Sequence, residues 1–186
     1  MKRLFDFVIS AILIILLAIP MVLVAIAVRL TSKGPILYWS NRIGKSNITF
    51  KMPKFRSMRV DTPAVATHLM TDPEQFLSPI GKLLRKYSID EFPQLFSILK
   101  GDMSFVGPRP ALFNQYDLIA LRTERGIDQI LPGLTGWAQV NGRDELPIIE
   151  KVAFDREYVE RQSFCFDMKI LWITILNVVR KDGVLH

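Results

Sequence analysis

Two carboxylates stand side by side in the stretch SIDEFPQLFSILKG, residues 88–101, and a proline follows two positions later. Proline fits the first turn of a helix, where its missing N–H would be unpaired in any case. Pro93 therefore puts Asp90 and Glu91 at, or just before, a helix start. Free N–H groups and the positive end of the helix dipole favour carboxylates and phosphates there. Ser88 and Glu91 also have the S-x-x-E spacing of a capping box, so the plainest reading is that the acids cap a helix. A second reading comes from the cations around them. Lys54, Arg56, Arg85, Arg109 and Arg143 lie within about 55 residues, several beside glycine or proline, and Arg109 is locked between Pro108 and Pro110. Arginines held by rigid neighbours suit bidentate phosphate contacts, although each alone could be an ordinary solvated charge. Magnesium takes one or two protein carboxylates and completes its shell with substrate phosphates and water. A carboxylate can also act as a phosphoryl nucleophile. Acids plus fixed cations thus point to metal-assisted phosphoryl chemistry.

The rest of the composition narrows where that chemistry happens. The chain has 186 residues, 49% of them hydrophobic, with 24 Lys and Arg against 18 Asp and Glu, a formal charge of +6. A basic, apolar chain fits an anionic membrane surface or phosphate-bearing ligands. The single cysteine, Cys165, excludes an intrachain disulfide and a Cys-rich zinc site, and His68 and His186 are far apart in sequence. A His-based metal site or a Ser-His triad has little support. A nucleic-acid binder is possible on charge alone, but no recognisable module and no dense basic-aromatic pattern supports one.

Val8 to Val28 form a 21-residue run without a charge, broken only by the hydroxyl of Ser10. That length can cross a bilayer. Three readings compete. A cleaved signal peptide would use the small-x-small site Ala25-Ile26-Ala27, but the run is long for one. A spanning helix gets no clear direction from its flanks, because both are basic: Lys2 and Arg3 before it, Arg29, Lys33 and Arg42 after it. A helix broken at Pro20 could enter one leaflet and return, leaving both flanks on the cytoplasmic side.

Downstream, ILYW (36–39) and ITFKM (48–52) read as short strands joined by NRIGKSN, and 54–60 as a basic extended piece. Residues 61–79 read as a loop with a short helix. Residues 80–89 read as an amphipathic helix with Ile80, Leu83, Leu84 and Tyr87 on one face. A second short helix, 93–101, should end at Gly101. Residues 112–125 and 148–162 also read as helices, and 131–143 as turns. The apolar segment 164–181 carries Asp167, Thr174, Asn177 and Lys181 near one stripe. It is either a core helix or one lying in the membrane interface, with Trp172 as an anchor. No linker divides the chain. The expected fold is α/β with helix predominant: a membrane helix over 1–30 integrated with a catalytic unit over 31–186.

Four segments carry a resemblance that spacing alone does not supply: KRLFDFVIS (2–10), KFRSM (54–58), RKYSIDEFPQLFSILKGDMSFVGPRP (85–110) and PGLTGWAQVNGR (132–143). They resemble the bacterial sugar transferases, the monotopic phosphoglycosyl transferases, in their small, catalytic-domain-only form. The resemblance implies transfer of a sugar-1-phosphate from a UDP-sugar to polyprenol phosphate, with UMP released. It implies a covalent phosphosugar intermediate on Asp90 and magnesium beside it. Glu91 would assist the dyad. Lys54, Arg56 and Arg109 would bind phosphate, Arg85 would anchor the dyad helix or bind the acceptor, and Arg143 would assist the nucleotide or sugar. It further implies a monotopic fold with a re-entrant helix broken at Pro20, interfacial helices and a small strand element. The site would lie on the cytoplasmic face of the bacterial plasma membrane, with membrane lipids and downstream glycosyltransferases as partners. The chain departs from the family at Ile19-Pro20, where Ser-Pro is expected, and at Pro53, where an aromatic is usual. The runner-up is a non-catalytic membrane-anchored module that binds anionic lipid or a partner enzyme.

Overall fold

The first helix sets the frame. A computed structural model describes residues 1–62, 74–142 and 146–180. Helix α1 (Lys2–Thr31) is 30 residues long and contains Pro20. Helical backbone runs through Pro20, where a break is expected, without a gap. Proline removes one i→i−4 bond and crowds the Leu16 carbonyl, but its fixed φ is compatible with helix. The two halves pack on different clusters: Phe5, Ile9, Leu13 and Leu17 lie against one, and Met21, Val24 and Val28 belong to another.

Both ends of α1 are fastened to the body. Lys2 Nζ pairs with Asp167 at 2.5 Å. Arg3 donates to the carbonyls of Ile98 (2.6 Å) and Leu99 (2.7 Å). Buried Asp6 accepts the Phe105 N–H at 3.1 Å. At the far end, Arg56 donates to the Ser32 carbonyl (2.8 Å) and hydroxyl (2.6 Å).

Strands β1 (Leu37–Ile43) and β2 (Thr49–Phe55) form an antiparallel hairpin, with Trp39 opposite Pro53. The strands run further than the sequence predicts. The turn is confined to Gly44–Ile48, where Ser46 and Asn47 take positive φ. A two-stranded sheet leaves one side of β2 open, which is where a strand accommodates a proline.

Helix α2 (Gly81–Lys86) and helix α3 (Gln94–Lys100) flank a 3-10 turn at Ile89–Glu91. As predicted, α3 ends at Gly101, in the left-handed region (φ 100°). On α2 the apolar face is not wholly inward: Leu84 is buried, whereas Leu83 and Tyr87 are exposed.

Strand β3 (Ser104–Val106) and strand β4 (Gly133–Thr135) form a short parallel pair that sequence patterning missed. Three residues are too few to show a period of two. Helix α4 covers Tyr116–Glu124, α5 Trp137–Gly142, α6 Ile148–Arg161 and α7 Phe164–Arg180. Helix α5 lies where the sequence predicts only turns. The central core joins Met52, Leu95, Ile98, Phe105, Tyr158, Phe166 and Ile170.

Helix α7 turns its polar stripe inward. Asp167 is buried, accepting from Tyr158 Oη at 2.7 Å, and Thr174 hydrogen-bonds Thr135 across 2.7 Å. Trp172, Ile175 and Val178 face out. Lys181 lies outside the described residues. Helix α1 has the same inversion: Asp6 and Ser10 are buried, while Ile12, Ile15, Leu16, Ile19, Val22, Leu23, Ile26 and Leu30 are exposed.

Candidate active site

The chain reverses sharply before the acidic pair. Ser88 is held in the left-handed region (φ 53°, ψ 24°) between α2 and the 3-10 turn. For a non-glycine residue this costs about 1 kcal/mol. The turn is closed by backbone bonds from Glu91 N–H to the Ser88 carbonyl (3.2 Å) and from Phe92 N–H to the Ile89 carbonyl (3.2 Å). Pro93 follows as the N-cap of α3. The expected capping box does not form, because Ser88 makes no side-chain cap bond. A left-handed Ser88 cannot present its hydroxyl to the next turn in the usual way, and Glu91 is engaged elsewhere.

Glu91 is the hub of the ion pairs. One carboxylate oxygen, Oε1, accepts from Lys54 Nζ at 2.7 Å and from Arg109 Nη2 at 2.9 Å. All three side chains are largely withdrawn from solvent, which strengthens such pairs. Lys54 comes from the end of β2, and Arg109 from the turn that leaves the carboxyl end of β3. Sites in parallel sheets favour that end of a strand.

Asp90 differs from its neighbour. It is 5% exposed, and its Oδ1 has no hydrogen-bond partner. Burial pushes its carboxyl up to about 6; nearby Lys54 opposes that rise, Glu91 adds to it, and Arg85 and Arg109 oppose it. Arg85 reaches the same charge cluster from α2 and donates from Nε to Ser57 Oγ at 3.1 Å and from Nη2 to Met58 Sδ at 3.3 Å. The fold therefore gathers Asp90, Glu91, Lys54, Arg85 and Arg109 from four elements.

Two predicted residues are not part of that cluster. Arg56 is buried, and its hydrogen bonds go to Ser32 at the end of α1. Only Nη2 makes those bonds; Nε and Nη1 are buried without a hydrogen-bond partner, so Arg56 anchors the end of α1 through one nitrogen. Arg143 lies outside the described residues.

Backbone contact sets the turn that carries Arg109. Gly107 donates to the Thr135 carbonyl at 2.9 Å, and Gly133 donates to the Pro108 carbonyl at 2.9 Å. A Cβ on Gly133 would lie 2.1 Å from the Gly107 nitrogen. Gly133→Ala is therefore expected to force β3 and β4 apart and to lower stability by about 2 kcal/mol or more. Denaturant unfolding of the detergent-solubilised protein reads this; an unchanged midpoint would show that the strands part without penalty.

Among the described residues no group of three His, Cys, Asp or Glu side chains could by itself hold a metal ion. That does not conflict with magnesium, which needs one or two carboxylates when phosphates and water supply the rest. A buried carboxylate oxygen without a partner, beside a second carboxylate, fits that need.

Comparison with known proteins bears on the whole chain. The profile of the bacterial sugar transferase family matches residues 1–181. The chain belongs to the bacterial sugar transferase family. This family member is 38% identical over 186 residues to the uncharacterized sugar transferase EpsL of Bacillus subtilis, covering 99% of this chain and 90% of EpsL. It is 40% identical over 187 residues to an undecaprenyl-phosphate glucose phosphotransferase of Komagataeibacter xylinus, covering 94% of this chain and 35% of that protein. It is 38% identical over 188 residues to the UDP-glucose:undecaprenyl-phosphate glucose-1-phosphate transferase of Escherichia coli, covering 95% of this chain and 40% of that protein. This sugar transferase thus spans most of EpsL but well under half of the two relatives whose names state a reaction.

Three residues near the site escaped the sequence reading: Arg42, Arg122 and Asp155. Nothing in their local sequence marks them. Their positions matter only once β1, α4 and α6 are brought to the Arg109 turn.

Proposed function

We propose that the chain moves a sugar-1-phosphate from a UDP-sugar to polyprenol phosphate, giving a polyprenol diphosphate-linked sugar and UMP. The observation that carries this reading is the Asp90 carboxylate: buried, with an oxygen left unbonded, and ringed by Lys54, Arg85 and Arg109. Asp6 Oδ2 and Asp155 Oδ1 are also buried and unbonded; what sets Asp90 apart is that Lys54, Glu91, Arg85 and Arg109 all act on it. The names of the related proteins, which state UDP-glucose and undecaprenyl phosphate, support the same chemistry.

In this mechanism Asp90 attacks the phosphorus that bears the sugar. The bond from that phosphorus to the bridging oxygen breaks, and UMP leaves with the oxygen. An oxygen of polyprenol phosphate then attacks the aspartyl phosphosugar. The acyl phosphate bond breaks, releasing the product and restoring the Asp90 carboxylate. Arg109 and Lys54 stabilise charge on the transferring phosphoryl oxygens, with Glu91 holding both in position. Arg85 fixes the other side of the acidic turn. Asp90 would hold magnesium, which would neutralise the diphosphate.

The membrane setting follows from the inverted helices. Polar side chains inside and apolar side chains outside are the reverse of what water favours, and a long exposed apolar stripe marks a lipid or partner surface. We read α1 as lying in one leaflet, with the catalytic body on the cytoplasmic face. A 30-residue helix is about 45 Å long, more than a hydrocarbon core of about 30 Å. Because both its ends and one whole side are fixed to the body, spanning would drag polar surface into lipid. Cysteines at Leu4 and Lys33, in a Cys165→Ser background, should both resist an impermeant thiol reagent in intact spheroplasts and both react after lysis. Labelling of only one in intact cells would establish a spanning helix.

The activity itself is tested by UMP release from a panel of UDP-sugars with undecaprenyl phosphate. Product should form with at least one sugar and vanish on chelation with EDTA, returning with added magnesium. Full turnover in EDTA would remove the metal from the reading. Absence of UMP and of lipid-linked sugar across the panel would favour the non-catalytic anchor.

A further inference from the structure

The turn Pro108-Arg109-Pro110 cannot brace itself. Two of its three residues have no N–H, so its carbonyls must find donors elsewhere. The structure supplies one to each in turn. The Pro108 carbonyl accepts from Gly133 N–H at 2.9 Å. The Arg109 carbonyl accepts from Arg122 Nη1 at 2.8 Å. The Pro110 carbonyl accepts from Arg42 Nη1 at 3.0 Å, and the next carbonyl, of Ala111, accepts from Ile43 N–H at 2.9 Å.

The Arg122 donor is itself held. Its Nε and Nη2 both reach Asp155 Oδ2, at 3.0 and 2.6 Å, inside the protein. Arg122 is 8% exposed and Asp155 1%. A buried ion pair of this kind gains little for stability over an apolar pair, but it fixes a direction in space. Here the guanidinium spends two donors on Asp155 and aims a third at the backbone of Arg109. The opposite end of the same residue reaches Glu91 in the acidic pair.

We propose that Arg42 and Arg122, the latter set by Asp155, are positioning residues that hold Arg109 at the phosphate-binding geometry by clamping the carbonyls of its turn. The inference rests on the phosphotransfer reading for its effect on rate. The clamp touches no reacting atom, so its influence must pass through Arg109. A misplacement of about 1 Å in a catalytic group can lower the rate by about a hundredfold.

The clean variant is Arg122→Lys. It keeps a positive charge for Asp155, but a single ammonium lacks the arm that reaches the Arg109 carbonyl. In the wild-type background, kcat/KM for UMP release should fall about thirtyfold. In an Arg109→Met background, followed with radiolabelled UDP-sugar over long incubations, the same change should cost less than about twofold, because the two residues act as a unit. Equal losses in both backgrounds would overturn the proposal. Arg42→Met gives the same test from β1 and does not disturb Asp155. Hydrogen exchange over residues 107–113 supplies an arm that needs no turnover: it should quicken in either variant, while that of α7 stays unchanged. Unaltered exchange there would dismiss the clamp. If the wild-type protein transfers no sugar at all, the phosphotransfer reading fails, and the exchange result alone decides the clamp.

Discussion

Asp90→Asn is expected to abolish sugar-phosphate transfer, with turnover reduced by about ten-thousandfold or more, and to leave no covalent phosphosugar on the protein. The amide is nearly isosteric, so the turn at Ile89–Glu91 should persist, but it is not a nucleophile toward phosphorus. The same change should not destabilise the fold. In the metal-free protein, the Asp90 carboxyl titrates at about 6 rather than 3.8, because burial disfavours its charge. A carboxyl raised in the folded state binds its proton more tightly there than in the unfolded chain. Stability is therefore lost as pH rises through the window from 3.8 to about 6, and it stays lower at neutral pH. That penalty is on the order of 3 kcal/mol, and asparagine does not carry it. Asp90→Asn should thus melt at the same temperature as wild type or higher at pH 7 in EDTA, with the gain vanishing near pH 4. An inactive variant that is also clearly less stable at pH 7 would argue that Asp90 is a structural residue. Full activity in it would exclude Asp90 as the nucleophile.

Glu91→Gln should produce the second largest effect, a loss of turnover of about a hundredfold with the site still assembled. Glu91 Oε1 holds Lys54 and Arg109 together, and both bonds weaken when the acceptor becomes neutral. The change also alters the electrostatics at Asp90. Burial raises the Asp90 carboxyl most and Glu91 adds to it, whereas Lys54, Arg85 and Arg109 lower it. Removing the negative charge takes away one of the two influences that raise Asp90; burial still raises it, while Lys54, Arg85 and Arg109 still lower it, so its carboxyl should ionise at lower pH. The acid limb of kcat/KM, measured at saturating magnesium, should therefore move to lower pH even as the maximum falls. A limb that stays in place or moves up would show that Glu91 and Asp90 do not share one field. Together, the two variants separate the carboxylate that reacts from the one that arranges cations.

The acidic pair, the proline behind it and the end of α3 at Gly101 were readable because each is local. Proline at a helix start and glycine at its end act through their own backbone preferences, so a short window of sequence contains the cause. The apolar run of α1 was readable for the same reason. The capping box was misread because Ser88 enters the left-handed region, and that choice depends on how α2 and α3 are docked. The bond from Arg56 to Ser32 was not readable, because a basic residue next to KF looks the same whether or not it also meets a distant carbonyl. The stripe on α7 was correctly located, but sequence left its direction open. The periodicity of a helix gives two faces, and only its neighbours decide which one is inside.

What the sequence alone determined is the chemistry at hand: two acids at a helix start, cations fixed by prolines and glycines, and an apolar segment with basic flanks. These depend on residue type and on spacing within a few positions. Tertiary structure decided the roles. It divided the pair into a Glu91 that binds Lys54 and Arg109 and an Asp90 whose Oδ1 binds nothing. It turned Asp6 and Asp167 inward and the apolar stripes of α1 and α7 outward. It also brought Arg42 and Arg122 to the carbonyls around Arg109 from 67 and 13 residues away along the chain. Desolvation and the meeting of distant donors and acceptors depend on which surfaces are closed against one another, and the order of residues along a chain does not state that.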